Sequence, residues 1–478
     1  MNLHVILTCL IFLPIVLGFL GCLFPNKFFF VGVVTLLIDS ILSFIGLLKG
    51  FNESFVLINK GGILLSFDPF SLPLIFGSSI VLLITFSLRK KYFSHYFYQI
   101  SLVLFSALSI CFIAKDLISI YIALELTGFC AFLLIADKNT NKSLFQSFQY
   151  LIGGGLAMLI YLIGVIQAFT YTGSFALDDL ALAPSTALCL IVAGLLTKSG
   201  IFICGIWVPN IYTNATIQSA SILSGCVTCA GIAPISRMSQ ILVPISNSMI
   251  VIGVLSAILA AILAIFETDD GRTLGWSSVS QLGISILSPS YACLYVMQHG
   301  ICKCLLFNTL NENDSSEIKN LSSNDNYSIL YHQDLIKLIT FIVASLSITG
   351  FPFIAGFTTK TLLKYDLPPS AQLIVSTSAL LTSAIYVKLI ISKYNRFKLN
   401  YRKNNIKINL KLFSGTNNLI LAFSIILLIS STFLRIDLLK SIYFTNSLTG
   451  LFIGGILYLC VMGIEKNIES SNIRKTID

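Results

Sequence analysis

Runs of about twenty apolar residues recur from one end of the chain to the other, and few folds are compatible with that. A helix that crosses the hydrocarbon core of a bilayer needs about 20 such residues. On that basis the candidate spans are 3–23, 28–48, 70–88, 95–114, 117–136, 149–171, 184–207, 215–236, 243–266, 274–288, 291–309, 335–363, 371–392, 417–434 and 443–463. The span 274–288 is short and polar, and 335–363 is interrupted near its end, so the count is 14 or 15. Over 478 residues, 56% are hydrophobic and only 11% charged, where soluble domains carry roughly 25% charge. Too little polar surface exists to cover water-facing globules. Lipid is the main solvent, and a disordered chain, a coiled coil and a soluble nucleotide-binding enzyme are excluded.

Charge places the ends of the spans. With the N-terminus outside, the inner loops carry Lys27, Arg89-Lys90-Lys91, Lys138, Lys142 and a basic loop over 393–411, while an outer loop carries Asp178-Asp179. Such a basic excess on one side is the positive-inside pattern, and it accounts for the net charge of +9 without nucleic acid. Met1–Cys22 has no Lys or Arg ahead of its apolar run and reads as a retained helix. The 12 Cys lie singly in apolar runs and read as small buried thiols. No cluster-type Cys spacing, Gly-rich phosphate loop or His pair is present, so neither a cofactor nor a metal is expected.

Ionisable residues at membrane depth are costly and therefore informative. Glu125 lies inside Leu117–Ala136 and Lys198 inside 184–207. His299 and Lys303 share one helix face, four residues apart. Lys360 follows Pro352 and Gly356, and Lys388 lies near the inner end of its span, where it can snorkel. Glu125 and Lys198 read either as a structural ion pair or as a switchable proton path. Brought together both stay charged; separated, one proton moves. Thr197-Lys198-Ser199-Gly200 before Trp207-Val208-Pro209, and Pro352 and Gly356 before Lys360, mark two interrupted helices. A break at membrane depth needs protein or water to satisfy its backbone. Two such breaks, each with a lysine, suggest internal repeats over 95–242 and 243–392, preceded by N-terminal helices over 1–94 and followed by a basic loop and C-terminal helices over 393–478.

The chain also carries ordered motifs. Lys115-Asp116-Leu117 with Leu124-Glu125-Leu126, then Lys198, Trp207-Val208-Pro209 and Ser219–Gly225, then Trp276–Gly283, His299–Phe307, and Gly350–Phe357 with Lys360, resemble the proton-translocating membrane subunits shared by respiratory complex I and the multisubunit Mrp-type cation/proton antiporters. The resemblance covers about 115–365. It implies an all-α polytopic fold of about 14 transmembrane helices with two inverted five-helix repeats containing broken helices. It also implies other membrane subunits as partners. Glu125, Lys198, His299, Lys303 and Lys360 would then form the proton or ion path, moving H+, or H+ exchanged for Na+, through Glu/Lys half-channels. Any NADH or quinone chemistry would belong to partner subunits. A bacterial plasma membrane is expected, with thylakoid and organellar membranes as alternatives. Three places depart from the family pattern. Cys229 stands where the family has a relay Lys, Ile203-Cys204-Gly205 replaces its PFH before the Trp so that histidine is absent, and Tyr212 stands where many members have His. The first motivates an alternative reading: a structural or assembly subunit that has lost full conduction.

Overall fold

Apolar runs without β-branched dominance or frequent turn signals fold as helices, and helices form most of the computed structural model. It describes residues 3–21, 23, 28–56, 63–88, 96–136, 140–310, 324–401 and 452–459. Helices α1 (Leu3–Gly21) and α2 (Phe28–Lys49) lead into an antiparallel hairpin, β1 (Glu53–Val56) and β2 (Leu64–Phe67). There follow α3 (Ser71–Leu88), α4 (Phe97–Ile113), α5 (Leu117–Ala136), α6 (Asn141–Thr172) and α7 (Ser185–Lys198). The next elements are α8 (Trp207–Asn214), α9 (Ile217–Gly225), α10 (Ile232–Ile241), α11 (Val243–Phe266), α12 (Asp270–Ser285) and α13 (Pro289–Thr309). Last come α14 (Asn324–Thr349), α15 (Ala355–Tyr365) and α16 (Pro369–Tyr401). Among the described residues, 7 helical stretches are long and apolar enough to cross a membrane, Ile217–Ile241 taken as one of them.

Helix α13 is the structural centre. It packs against α3, α9, α10, α12, α14 and α15 and is buried over nearly its whole length. Its closest crossing is glycine on glycine. A Cβ on Gly300 would lie 2.3 Å from the Gly225 carbonyl oxygen, so α9 and α13 meet backbone to backbone. Around this centre, α6 and α11 turn large apolar side chains outward, Ile152, Leu156 and Ile163 on one and Val251 and Leu255 on the other, as helices solvated by lipid do.

Both expected helix breaks are present, and the same backbone device makes them. The last residue of α7 is followed by Ser199 and Gly200 (φ 63°), and the Ile201 amide returns to the Leu196 carbonyl at 3.1 Å. Helix α14 ends at Gly350 (φ 85°), and the Phe351 amide returns to the Leu346 carbonyl at 3.0 Å. Each glycine takes the left-handed conformation of a helix-terminating Schellman turn. The expected span 215–236 is also broken, into α9, a 3-10 turn at Val227–Cys229, and α10.

Several details differ from the sequence-based expectation. Helix α16 runs on to Tyr401, so Lys393, Arg396 and Lys398 lie on a helix and not in the expected basic loop. Arg396 pairs with Asp270 at 2.7 Å, and Lys393 donates to the Thr309 carbonyl at the end of α13. Lys388 does not extend outward alone; its ammonium caps the end of α11 through the carbonyls of Ile265 (2.7 Å) and Glu267. A cation at a helix C-terminus is favoured by the exposed carbonyl dipoles. The short polar stretch 274–288 is buried because its serines and Gln281 face neighbouring helices, not lipid. The span 417–434, most of 443–463, Lys27, Arg89-Lys90-Lys91, Lys138 and Arg402 onward in the basic loop lie outside the described residues.

Candidate functional site

The expected path residues fall into two centres. The first is built from α5, α6 and α7. Glu125 projects from the middle of α5. One turn further on, Gly128 leaves the space that the Lys198 side chain enters. A Cβ on Gly128 would stand 2.7 Å from Lys198 Nζ, and one on Gly154 of α6 would stand 3.1 Å from it. The Tyr150 ring centroid lies 6.0 Å from the same ammonium, within cation–π range. Lys198 is 6% exposed and occupies the last turn of α7, so the free carbonyls of that helix point past it. Glu125 bears electrostatically on Lys198, but the two form no ion pair, and Glu125 Oε1 is buried with no hydrogen-bond partner. The alternative of a closed structural pair therefore does not describe this conformation. Trp207 seals the break behind the lysine. Its Nε1 donates to the Thr197 carbonyl at 3.3 Å, and its ring meets Tyr150 edge-on at 5.1 Å.

The second centre is built on α12, α13, α15 and α16. Lys303 is fully buried; its ammonium donates to the Leu274 carbonyl at 2.8 Å and to Ser277 Oγ. Ser277 shares a 2.9 Å hydrogen bond with the Tyr386 hydroxyl, and the Tyr386 ring lies 5.7 Å beneath the ammonium. One helical turn back on α13, His299 is buried, and neither ring nitrogen has a hydrogen-bond partner. Both Lys303 and Lys360 bear electrostatically on it. Lys360 sits on the second turn of α15, past the break, with its Nζ buried and unpartnered. The break itself is held by Gln298, which donates to Ser347 Oγ at 2.9 Å; the same oxygen accepts the Gly356 amide at 3.3 Å. Lys198 therefore precedes its helix break and Lys360 follows its own.

A group of aromatic and thiol side chains surrounds Cys229. Tyr212 meets Phe307 edge-on at 5.4 Å. Cys229 is buried in the 3-10 turn, donating to the Gly225 carbonyl at 3.5 Å, and Cys226, Cys293 and Cys304 are buried around it.

Sequence reasoning missed several residues. Asp68 and Arg237 form a buried bidentate pair, Arg237 Nη2 to Asp68 Oδ1 at 2.9 Å and Nε to Oδ2 at 3.1 Å. Arg237 also donates to the Phe112 carbonyl at 2.6 Å and the Ala114 carbonyl at 3.1 Å, tying α10 to the end of α4 and the start of α3. Asp68 lies in the turn before α3. Burial alone would raise its pKa, but the Arg237 guanidinium and the Ser71 amide outweigh that and hold it below the usual carboxylate value. The signal was available, since Arg237 is a lone cation beside an apolar run; the expected span stopped one residue short of it. Tyr386 had no such signal, being one aromatic among many. Among the described residues no group of His, Cys, Asp and Glu could hold a metal ion.

A family model described as NADH:quinone oxidoreductase/Mrp antiporter, transmembrane, matches residues 114–385. The chloroplastic NAD(P)H-quinone oxidoreductase subunit 5 of Calycanthus floridus var. glaucus is 27% identical over 338 residues, 64% of this chain and 44% of that protein. Its counterpart in Lemna minor is 28% identical over 340 residues, again 64% and 44%. The chain thus spans less than half the length of these relatives. Among solved structures, a chain of the Mrp complex from a Dietzia species superimposes with a TM-score of 0.78 at 17% identity, covering 98% of this chain and 57% of that one. A chain of the archaeal membrane-bound sulfane sulfur reductase gives 0.75 at 17%, covering 95% and 99%. A chain of respiratory complex I from Thermus thermophilus gives 0.70 at 18%, covering 90% and 98%. At these identities the three structures show a shared fold.

Proposed function

From the premise that this chain belongs to the NADH:quinone oxidoreductase/Mrp antiporter membrane family, we propose that it is a proton-translocating subunit of a multisubunit membrane complex. Its fold is that of a 14-helix core with two inverted five-helix repeats, each holding one lysine centre. One observation carries the reading: the Lys198 ammonium is buried in a pocket shaped by Gly128 and Gly154, close to an unpartnered Glu125. A permanently closed ion pair would store no proton. An ammonium and a carboxylate held near each other but apart can change protonation when a small displacement alters their mutual field. Lys303, His299 and Lys360 form the second half-channel. In it Ser277 and the Tyr386 hydroxyl offer a hydrogen-bonded path away from Lys303, and His299 is an uncommitted acceptor between two lysines. Protons move singly or against Na+; any redox chemistry resides in partner subunits. The N-terminus lies outside and the basic segments face the cytoplasm or its equivalent. The host is a coupling membrane. A bacterial plasma membrane is our sequence-based expectation, and the chloroplastic relatives make the thylakoid the alternative that membrane fractionation would separate.

The test is proton uptake by inverted vesicles containing the native complex. Glu125→Gln and Lys198→Ala are expected to abolish it while the complex still assembles on native gels. Full uptake in both variants would sink the reading. Cys229 favours a second one, an assembly subunit without full conduction, because a thiol replaces the expected relay amine at the midpoint. That reading predicts silent variants at Glu125 and Lys198, and loss of the complex on deletion of the chain. Sodium dependence of uptake separates antiport from proton pumping.

A further inference from the structure

We propose that Asp39, in the middle of α2, is a third proton-binding site of this subunit, separate from both lysine centres and outside the family-matched segment 114–385. Asp39 is the twelfth residue of a 22-residue helix, Phe28–Lys49, which places its carboxyl near mid-membrane. The residue is 6% exposed, and Oδ2 is buried with no hydrogen-bond partner. An ionisable group at that depth is expensive unless it is paired or serves a function. Among the described residues no ion pair compensates it. Helix α3 carries no ionisable side chain, nor do the described side chains of α1. On α4 such groups are Tyr98, whose ring lies against Phe29 at the other end of α2, and Cys111, whose thiol donates to the Ala230 carbonyl before α10. Lys49 closes α2 about 15 Å away along the helix axis.

The surroundings of Asp39 have a specific chemistry. Packing of Gly46 against Leu72 and of Gly32 against Phe86 fixes an antiparallel register that puts Ser79 opposite Asp39. The hydroxyls of α2 and α3 along this seam spend their one proton on carbonyls of their own helices. Thr35 donates to Gly32 O (2.9 Å), Ser40 to Leu37 O (2.8 Å), Ser43 to Asp39 O (2.7 Å), Ser78 to Ile75 O (3.1 Å) and Ser79 to Phe76 O (2.8 Å). What these hydroxyls still offer Asp39 is lone pairs. A carboxylate gains no donor from these hydroxyls as they are committed here, whereas protonation removes the uncompensated charge. The seam is built for the protonated form.

Dicyclohexylcarbodiimide tests this, because it is lipid-soluble and adds to protonated carboxyls. Native membranes containing the whole complex are treated at neutral pH, and the modified peptide is mapped by mass spectrometry. Label is expected on Asp39 and not on the exposed Asp178 and Asp179. It should decline as pH rises, disappear in Asp39→Asn, and persist in Glu125→Gln, so that failure of the lysine-centre reading leaves the result intact. The wild-type measurement does not depend on the variant folding. Two outcomes overturn the proposal. One is an Asp39 peptide that is unlabelled in membranes but labelled after unfolding in acidic detergent. The other is protection by NaCl at fixed ionic strength, which would make the acceptor-lined seam a sodium site.

Discussion

At the scale of single residues, the absence of a side chain positions the Lys198 ammonium. Gly128 and Gly154 contribute nothing but room. The atom that a Gly128 Cβ would displace is the free end of a flexible lysine, so Gly128→Ala should fold, at a cost below about 1 kcal/mol. The ammonium must then shift relative to Glu125. Proton uptake should fall roughly tenfold or more with assembly unchanged, since displacements of about an ångström at a reacting group can be that costly. Uptake at the wild-type rate would show that the lysine position is not critical. The Asp68–Arg237 pair makes the opposite demand. Arg237→Leu leaves a buried carboxylate without its cation and should cost about 3–5 kcal/mol, read as lowered thermal stability in detergent. The pair also sets a pH dependence. Because the folded pKa of Asp68 is lowered, its contribution is complete above the ordinary carboxylate range and is lost as pH falls through the folded value. Asp68→Asn should therefore abolish the part of the acid sensitivity that this group supplies.

At the scale of elements, two kinds of glycine are distinguished by what a methyl group would meet. Gly300 and Gly225 hold α13 and α9 at backbone contact. Gly300→Ala should cost about 1–3 kcal/mol by overpacking, because a carbonyl cannot step aside as a lysine end can. Gly153 of α6 has nothing within 4 Å, and Gly153→Ala should be neutral or stabilising by up to about 1 kcal/mol. Equal effects in a detergent melt would refute the packing account. Much of this level was legible in the sequence. Glu125, Lys198 and Lys303 stood out because charge within an apolar run is conspicuous. Both breaks were announced by Gly200, Pro209, Pro352 and Gly356. The β-hairpin at 53–67 was hidden because its strands are short and one is largely exposed. The length of α16 was hidden because Lys393 and Arg396 look like loop residues until the partners that anchor them, Thr309 and Asp270, are known. Asp39 gave the same signal as Glu125; what distinguishes it is that the hydroxyls of its seam already donate to their own helices, which depends on which way each hydroxyl points and is not encoded locally.

At the scale of the whole molecule, the question is how two lysine centres communicate with no amine at position 229. Tyr212, Phe307 and the thiols of Cys226 and Cys229 lie together there, and the Asp68–Arg237 pair bears on Cys293. A thiol is a weak donor beside an ammonium and carries no charge to bias its neighbours. If the subunit translocates protons through two half-channels in series, this segment is the slow part. An amine at position 229 should then speed transfer. Cys229→Lys is therefore expected to raise the rate of proton uptake per assembled complex, while Cys229→Ala, which neither adds nor removes a charge, leaves it unchanged. Burying an unpaired lysine among apolar neighbours is costly, so the rate must be normalised to the complex recovered on native gels. If Cys229→Lys assembles but transports no faster, the two centres do not act in series. The molecule would then be better described as two independent half-channels, or as the assembly subunit that Cys229 first suggested, with Glu125→Gln deciding between those two.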